Sequence, residues 1–101
     1  MDTKSIPFEF ARKNVEIKHL ARDENRDFQI DLVKLDPDIE FDEHGHPDIE
    51  WIYVLKGSMW DENGKYEKDH FLINKKGSRH AMTTGPEGCE ILACWCGRLD
   101  K

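Results

Sequence analysis

Four residues are spaced as the ligands of a single metal ion: His44, His46, Glu50 and His80. The first three lie in the run His44-Gly45-His46-Pro47-Asp48-Ile49-Glu50, which Gly57 follows seven residues later, and the fourth closes Gly77-Ser78-Arg79-His80. Side chains alternate faces along a strand, so His-x-His sets two imidazoles on one side. Glu50 follows a short turn and opens the run Trp51-Ile52-Tyr53-Val54-Leu55-Lys56. Imidazole and carboxylate together suit iron, zinc, manganese, nickel or copper, and a mixed set that leaves coordination positions open supports oxygen chemistry. The same four donors on zinc can close a tetrahedron, which favours a structural or sensory role. A lone His-x-His in an acidic loop would read as surface histidines. The two-part spacing argues instead for one bound divalent transition ion: iron, zinc, manganese or nickel.

Around these residues the chain is acidic. Asp42, Glu43 and Asp48 read as solvated carboxylates, one of which could accept a hydrogen bond from a ligand histidine. His19 reads as a surface residue, and His70 as an edge residue or one beside the ligands. Apart from the ligands, no residue stands out as an acid or base. Cys89, Cys94 and Cys96 are an odd number of thiols with no secretion signal, which points to reduced cysteines. Cys94 and Cys96 share one face of a strand and Trp95 takes the other; small buried apolar residues are the simplest reading. A thiol near the metal pocket or a dimer contact is the alternative.

The elements that must position the ligands read as short strands divided by turn residues, with no convincing helix. Val15, Ile17 and Leu20 suggest a first strand, and Phe28 to Leu35 a second that Asp36-Pro37-Asp38 breaks. Ile39 to His46 reads as a third, followed by a turn at Pro47-Asp48. Ile49 to Lys56 is the run richest in strand-forming residues, and Gly57 is expected to end it. Ser58 to Asp61 precedes a hairpin turn at Asn63-Gly64. His70 to Ile73, Arg79 to Thr83 and Cys89 to Gly97 complete the set, the last two divided by Gly85-Pro86-Glu87-Gly88. Many short strands at close spacing imply an all-β antiparallel sandwich or barrel. Glu50, Ile52 and Val54 would then face the interior, while Trp51, Tyr53 and Leu55 form an outward apolar stripe. A lone domain would struggle to cover that stripe, so a homodimer is expected.

At 101 residues the chain has room for one domain, with a core over about 14–98 and an N-terminal arm over 1–13. Its 15 basic and 21 acidic side chains leave a net charge of −6, which argues against nucleic acid as a partner. No apolar run approaches the roughly 20 residues of a membrane span, and no signal core follows Met1, so the expected location is the cytoplasm.

The spacing His44-x-His46-x3-Glu50-x6-Gly57 resembles the first motif of the cupins, and Asn74-Lys75-Lys76-Gly77-Ser78-Arg79-His80 the second. Lys75 and Lys76 stand where that motif often carries prolines. Within the superfamily the chain is similar to the C-terminal cupin domain of ChrR-type anti-sigma factors and to acetylacetone-cleaving dioxygenases. Val54-Leu55-Lys56-Gly57, Asp61-Glu62-Asn63-Gly64-Lys65-Tyr66, Gly77-Ser78-Arg79-His80-Ala81 and Pro86-Glu87-Gly88-Cys89 carry that likeness. The resemblance implies an antiparallel double-stranded β-helix, the jelly-roll barrel, with the ligands of both motifs meeting inside its mouth. It implies a non-haem metal-dependent oxygenase, or related enzyme, acting on a small chelating substrate. The alternative it implies is a non-catalytic, zinc-binding sensor. Two departures separate the chain from these relatives: the sequence has no room for a helical sigma-binding domain, and Glu50 stands where the dioxygenases hold iron with histidines alone.

Overall fold

The computed structural model describes residues 1–23, 25, 28–45 and 49–96, with the backbone alone for 44 and 45. After a 3-10 turn at Thr3–Ser5 the described residues form nine strands. They are β1 (Glu9–Arg12), β2 (Val15–Asp23), β3 (Phe28–Leu35), β4 (His44–Gly45), β5 (Glu50–Asp61), β6 (Gly64–Glu67), β7 (Phe71–Asn74), β8 (Arg79–His80) and β9 (Thr83–Cys96). The strand pairings are antiparallel. The large sheet runs β1-β2-β3-β9-β5-β6, with β7 also on β5, and β4 pairs with β8. This is the expected all-β jelly roll.

Two elements are longer than the sequence suggests. Gly57 does not end its strand: β5 continues to Asp61, bending through register shifts on either side of Gly57. A side chain there is impossible, since φ is +73° and an added Cβ would overlap the Gly88 carbonyl oxygen. Likewise β9 runs unbroken through Gly85-Pro86-Glu87-Gly88, because both strands bulge at the same level. Of the region read as a strand from Ile39 to His46, the described residues form a bridge at Glu40 and the two residues of β4. The N-terminal segment supplies β1, an exposed edge strand on β2.

Alternation sorts the interior from the exterior. Glu50, Ile52 and Val54 are buried along β5, while Trp51, Tyr53 and Leu55 are half-buried on the other side, as expected. On β3 the polarity is inverted relative to a simple reading: Gln29, Asp31 and Val33 face in, and Phe28, Ile30 and Leu32 face out. The apolar core gathers Val15, Val33, Val54, Met59 and Ile91 with their neighbours.

Candidate metal centre

The register of the short sheet carries the first juxtaposition. His44 of β4 is the cross-strand partner of His80 of β8, so the first motif and the second meet residue against residue. His46 lies outside the described residues. His80 is buried, and its Nδ1 lies 3.4 Å from Oδ2 of Asp61, whose side chain is equally buried. Asp61 is itself fixed, accepting from Tyr66 Oη at 3.1 Å and from the Asn63 backbone N–H at 2.8 Å. A carboxylate on one ring nitrogen sets tautomer and orientation for a metal on the other, so Asp61 is suited to aim Nε2 of His80.

Glu50 opens β5 with 3% exposure. Its Oε1 accepts from Nδ2 of the buried Asn74, its cross-strand neighbour on β7, at 2.8 Å. Burial pushes this carboxyl up to about 7, the Asn74 bond working in the opposite direction. Asn74 and His80 also line one open cavity of about 250 Å³, with Asp61, Tyr66 and Ser78 among its walls. A buried carboxyl that resists ionising gains most when a cation replaces its proton. A buried imidazole backed by a carboxylate is the matching neutral donor. Glu50 and His80 are thus donors of the types a divalent transition ion takes, while the described residues alone gather no cluster of three or more such side chains.

Most of the flanking residues take the expected places, the exception being the carboxylate beside His80. Glu43 pairs with Arg79 at 2.9 Å on the surface and Asp42 is exposed, so Asp61 supplies the carboxylate beside His80. Asp48 lies outside the described residues. His70 is exposed, its Nδ1 accepting from the Glu67 N–H at 3.1 Å. Cys89 is buried and its thiol is pushed up to about 12, mainly by burial; Cys94 is raised for the same first cause. All three cysteines are unpaired.

One polar group escaped the sequence reading altogether. His19 does reach the surface, yet its Nδ1 lies 2.8 Å from Oδ1 of Asp31, which is fully buried. Gln29 Nε2 donates to Asp31 Oδ2 at 2.6 Å, and Arg22 Nη2 donates to Gln29 Oε1 at 2.8 Å. The available signal was an aspartate and a glutamine at alternate positions of a strand whose only other polar residue is Lys34.

The sequence profile of the ChrR cupin-like domain matches residues 1–100. Among curated protein sequences none matches the chain. A solved RmlC-like cupin from Ralstonia eutropha JMP134 superposes with a TM-score of 0.86 at 19% identity, covering 95% of this chain and 66% of that one. A proposed acetylacetone dioxygenase from Methylibium petroleiphilum PM1 gives 0.84 at 14% identity, covering 96% and 75%. The complex of Rhodobacter sphaeroides SigE with the anti-sigma ChrR gives 0.79 at 18% identity, covering 91% of this chain and 50% of the matched one. The chain thus spans just under two thirds of the first of these proteins and half of the last. With a profile match over nearly every residue, the chain belongs to the ChrR cupin-like family.

Proposed function

We propose that the chain is a metal-dependent enzyme acting on a small chelating molecule, with His44, His46, Glu50 and His80 holding one divalent transition ion. The observation that carries this reading is the pair of buried donors, each with a dedicated partner: Glu50 on Asn74 and His80 on Asp61. The ion would supply Lewis-acid activation and, if redox-active, oxygen chemistry. The chain's own part is to keep His80 and Glu50 oriented and to screen the site from water. The likeness to the Methylibium protein supports a non-haem oxygenase acting on a diketone-like substrate. Oxygen uptake with ferrous-loaded protein and a panel of β-diketones tests it. Uptake well above a His80→Ala control is expected, and uptake equal to that control contradicts the reading.

The second reading, a zinc-binding sensor, is favoured by the family match itself and by the likeness to the SigE–ChrR complex. Tight tetrahedral zinc together with no uptake on any ion would select it. The buried, raised thiols of Cys89 and Cys94 speak against thiol-based sensing.

We also infer a homodimer. Outward of β5 and β7, Trp51 packs against Phe71 with tilted rings 6.0 Å apart between centroids, and Phe71 and Ile73 are 58% and 47% exposed. With half-buried Tyr53, Ile30 and Leu32 they form an apolar sheet face suited to a second copy. The three unpaired thiols support a cytoplasmic location.

A further inference from the structure

The accessible charge of the cavity beside His80 is positive. Its walls bring His80 and Asn74, the partner of Glu50, together with Leu72, Ile73, Lys75 and Arg79. Asp61 also reaches this space, but its oxygens are committed to Tyr66, the Asn63 N–H and the His80 ring. Lys75 is exposed, and its Nζ has no partner among the described residues. Arg79 gives Nε to Glu43 at 2.9 Å, an exposed pair of the kind that contributes little. Its two Nη groups are unpaired among the described residues, and such a fork matches the two oxygens of a carboxylate.

A local device presents these cations. Lys75-Lys76-Gly77-Ser78 is a turn closed by Ser78, whose N–H and Oγ both donate to the Lys75 carbonyl, at 3.0 and 2.6 Å. Gly77 supplies the left-handed backbone the turn requires, with φ at +81°. Lys75 and Arg79 stand at the two ends of the turn and line the cavity, whereas Lys76 within it is not among the walls. A turn that only needed solvated side chains would have no reason to set two cations against one hollow.

Electrostatics makes that placement informative. The chain carries a net charge of −6, yet two cations stand beside donors proposed for a divalent ion. Like charges repel, so Lys75 and Arg79 oppose an added cation unless an anion arrives with it. A substrate that brings its own negative charge removes the conflict: one end chelates the ion, and the other meets the two side chains. Leu72 and Ile73 border the same space and suit a short carbon chain between those ends. The volume of about 250 Å³ equals about eight waters at about 30 Å³ each. That admits a short oxo acid and leaves out a nucleotide or an oligosaccharide.

We propose that the substrate is a small oxo acid, a chelating dicarbonyl compound that also bears a carboxylate, and that Lys75 and Arg79 bind the carboxylate. The chelating end rests on the metal-enzyme reading above; the carboxylate subsite stands on the cavity and its two cations.

The test compares succinylacetone, a β-diketone ending in a carboxylate, with its uncharged counterpart in which a methyl group replaces that carboxylate. Binding is measured by calorimetric titration of the whole chain, zinc-loaded and metal-free. Zinc-loaded wild type should bind succinylacetone about tenfold or more tighter than the counterpart, an advantage that shrinks as salt is raised. Lys75→Gln and Arg79→Gln should each lose about threefold or more of that advantage, and the double variant nearly all of it. Lys76→Gln should keep it in full, and the uncharged compound should bind alike to every variant. Binding of neither compound, equal binding of the two by wild type, or an advantage that survives the double variant overturns the proposal. Zinc occupancy by native mass spectrometry separates its failure from that of the metal reading. A chain that takes no zinc but holds succinylacetone through Lys75 and Arg79 keeps the carboxylate subsite and loses the metal. Zinc bound with no preference between the compounds keeps the ion and loses the subsite.

Discussion

The same three strands build two unlike halves of one interior. Towards one end β3, β5 and β9 contribute Val33, Val54 and Ile91, packed with Val15 and Met59. Towards the other, the same inward faces carry Gln29 and Asp31, Glu50, and Trp95. In the apolar half, stability comes from area removed from water and from close packing. In the polar half, buried groups need partners, and Asn74, Asp61 and His19 supply them to Glu50, His80 and Asp31, whereas the Trp95 indole N–H has none among the described residues. The first half holds the strands in register, and the second uses that register to gather polar groups that lie far apart in the chain.

If that division is right, damage to the packed half should cost folding before it costs metal. Gly57→Ala is expected to have the largest effect, because its Cβ would overlap Gly88 and the backbone sits at positive φ. A loss of about 4 kcal/mol or more in urea denaturation, or failure to fold, is expected. Met59→Ala, which removes a side chain 1% exposed, should cost about 2–5 kcal/mol and leave one metal per chain.

Changes in the polar half should behave oppositely. The carboxyl of Glu50 is held at about 7, above its ordinary 4.5, so the folded chain binds that proton more tightly than the unfolded one. Its contribution is present below pH 4.5 and lost as pH rises through 7, at a cost to the metal-free chain of up to about 3 kcal/mol. Metal-stripped Glu50→Gln should therefore unfold at higher urea than wild type at pH 8, with the gap closing near pH 4.5, while metal binding is lost. Equal midpoints at pH 8 would mean that Glu50 is not strained by burial. A smaller effect is expected from Asp61→Asn, which keeps the shape but weakens the hold on His80. Metal affinity by competition titration should fall about 10- to 100-fold.

The legible part of this protein was what lies close together in sequence. His44, His46, Glu50 and His80 could be proposed as ligands because ligand-type residues at fixed spacing are rare by chance, and the inward set of β5 followed from period-2 alternation. Asp61, Asn74 and the His19–Asp31 pair were not, because pairing between strands distant in the chain brings them to their partners. On β3 the apolar residues Phe28, Ile30 and Leu32 suggest the core face, yet they lie outside. A barrel whose mouth is polar and whose outer sheet face is apolar defeats the usual inference from hydrophobic to inside. Gly57 misled in a similar way: a glycine that ends many strands here lets one strand bend past another.

The central claim is that one ion is held jointly by the two motifs. The most direct measurement is the metal content and affinity of untagged wild type, His46→Ala and His80→Ala, by elemental analysis and competition titration. One equivalent in wild type and none retained stoichiometrically in either variant is the predicted result. One equivalent bound with unchanged affinity by His46→Ala or His80→Ala, or no transition metal in wild type after reconstitution, would contradict it.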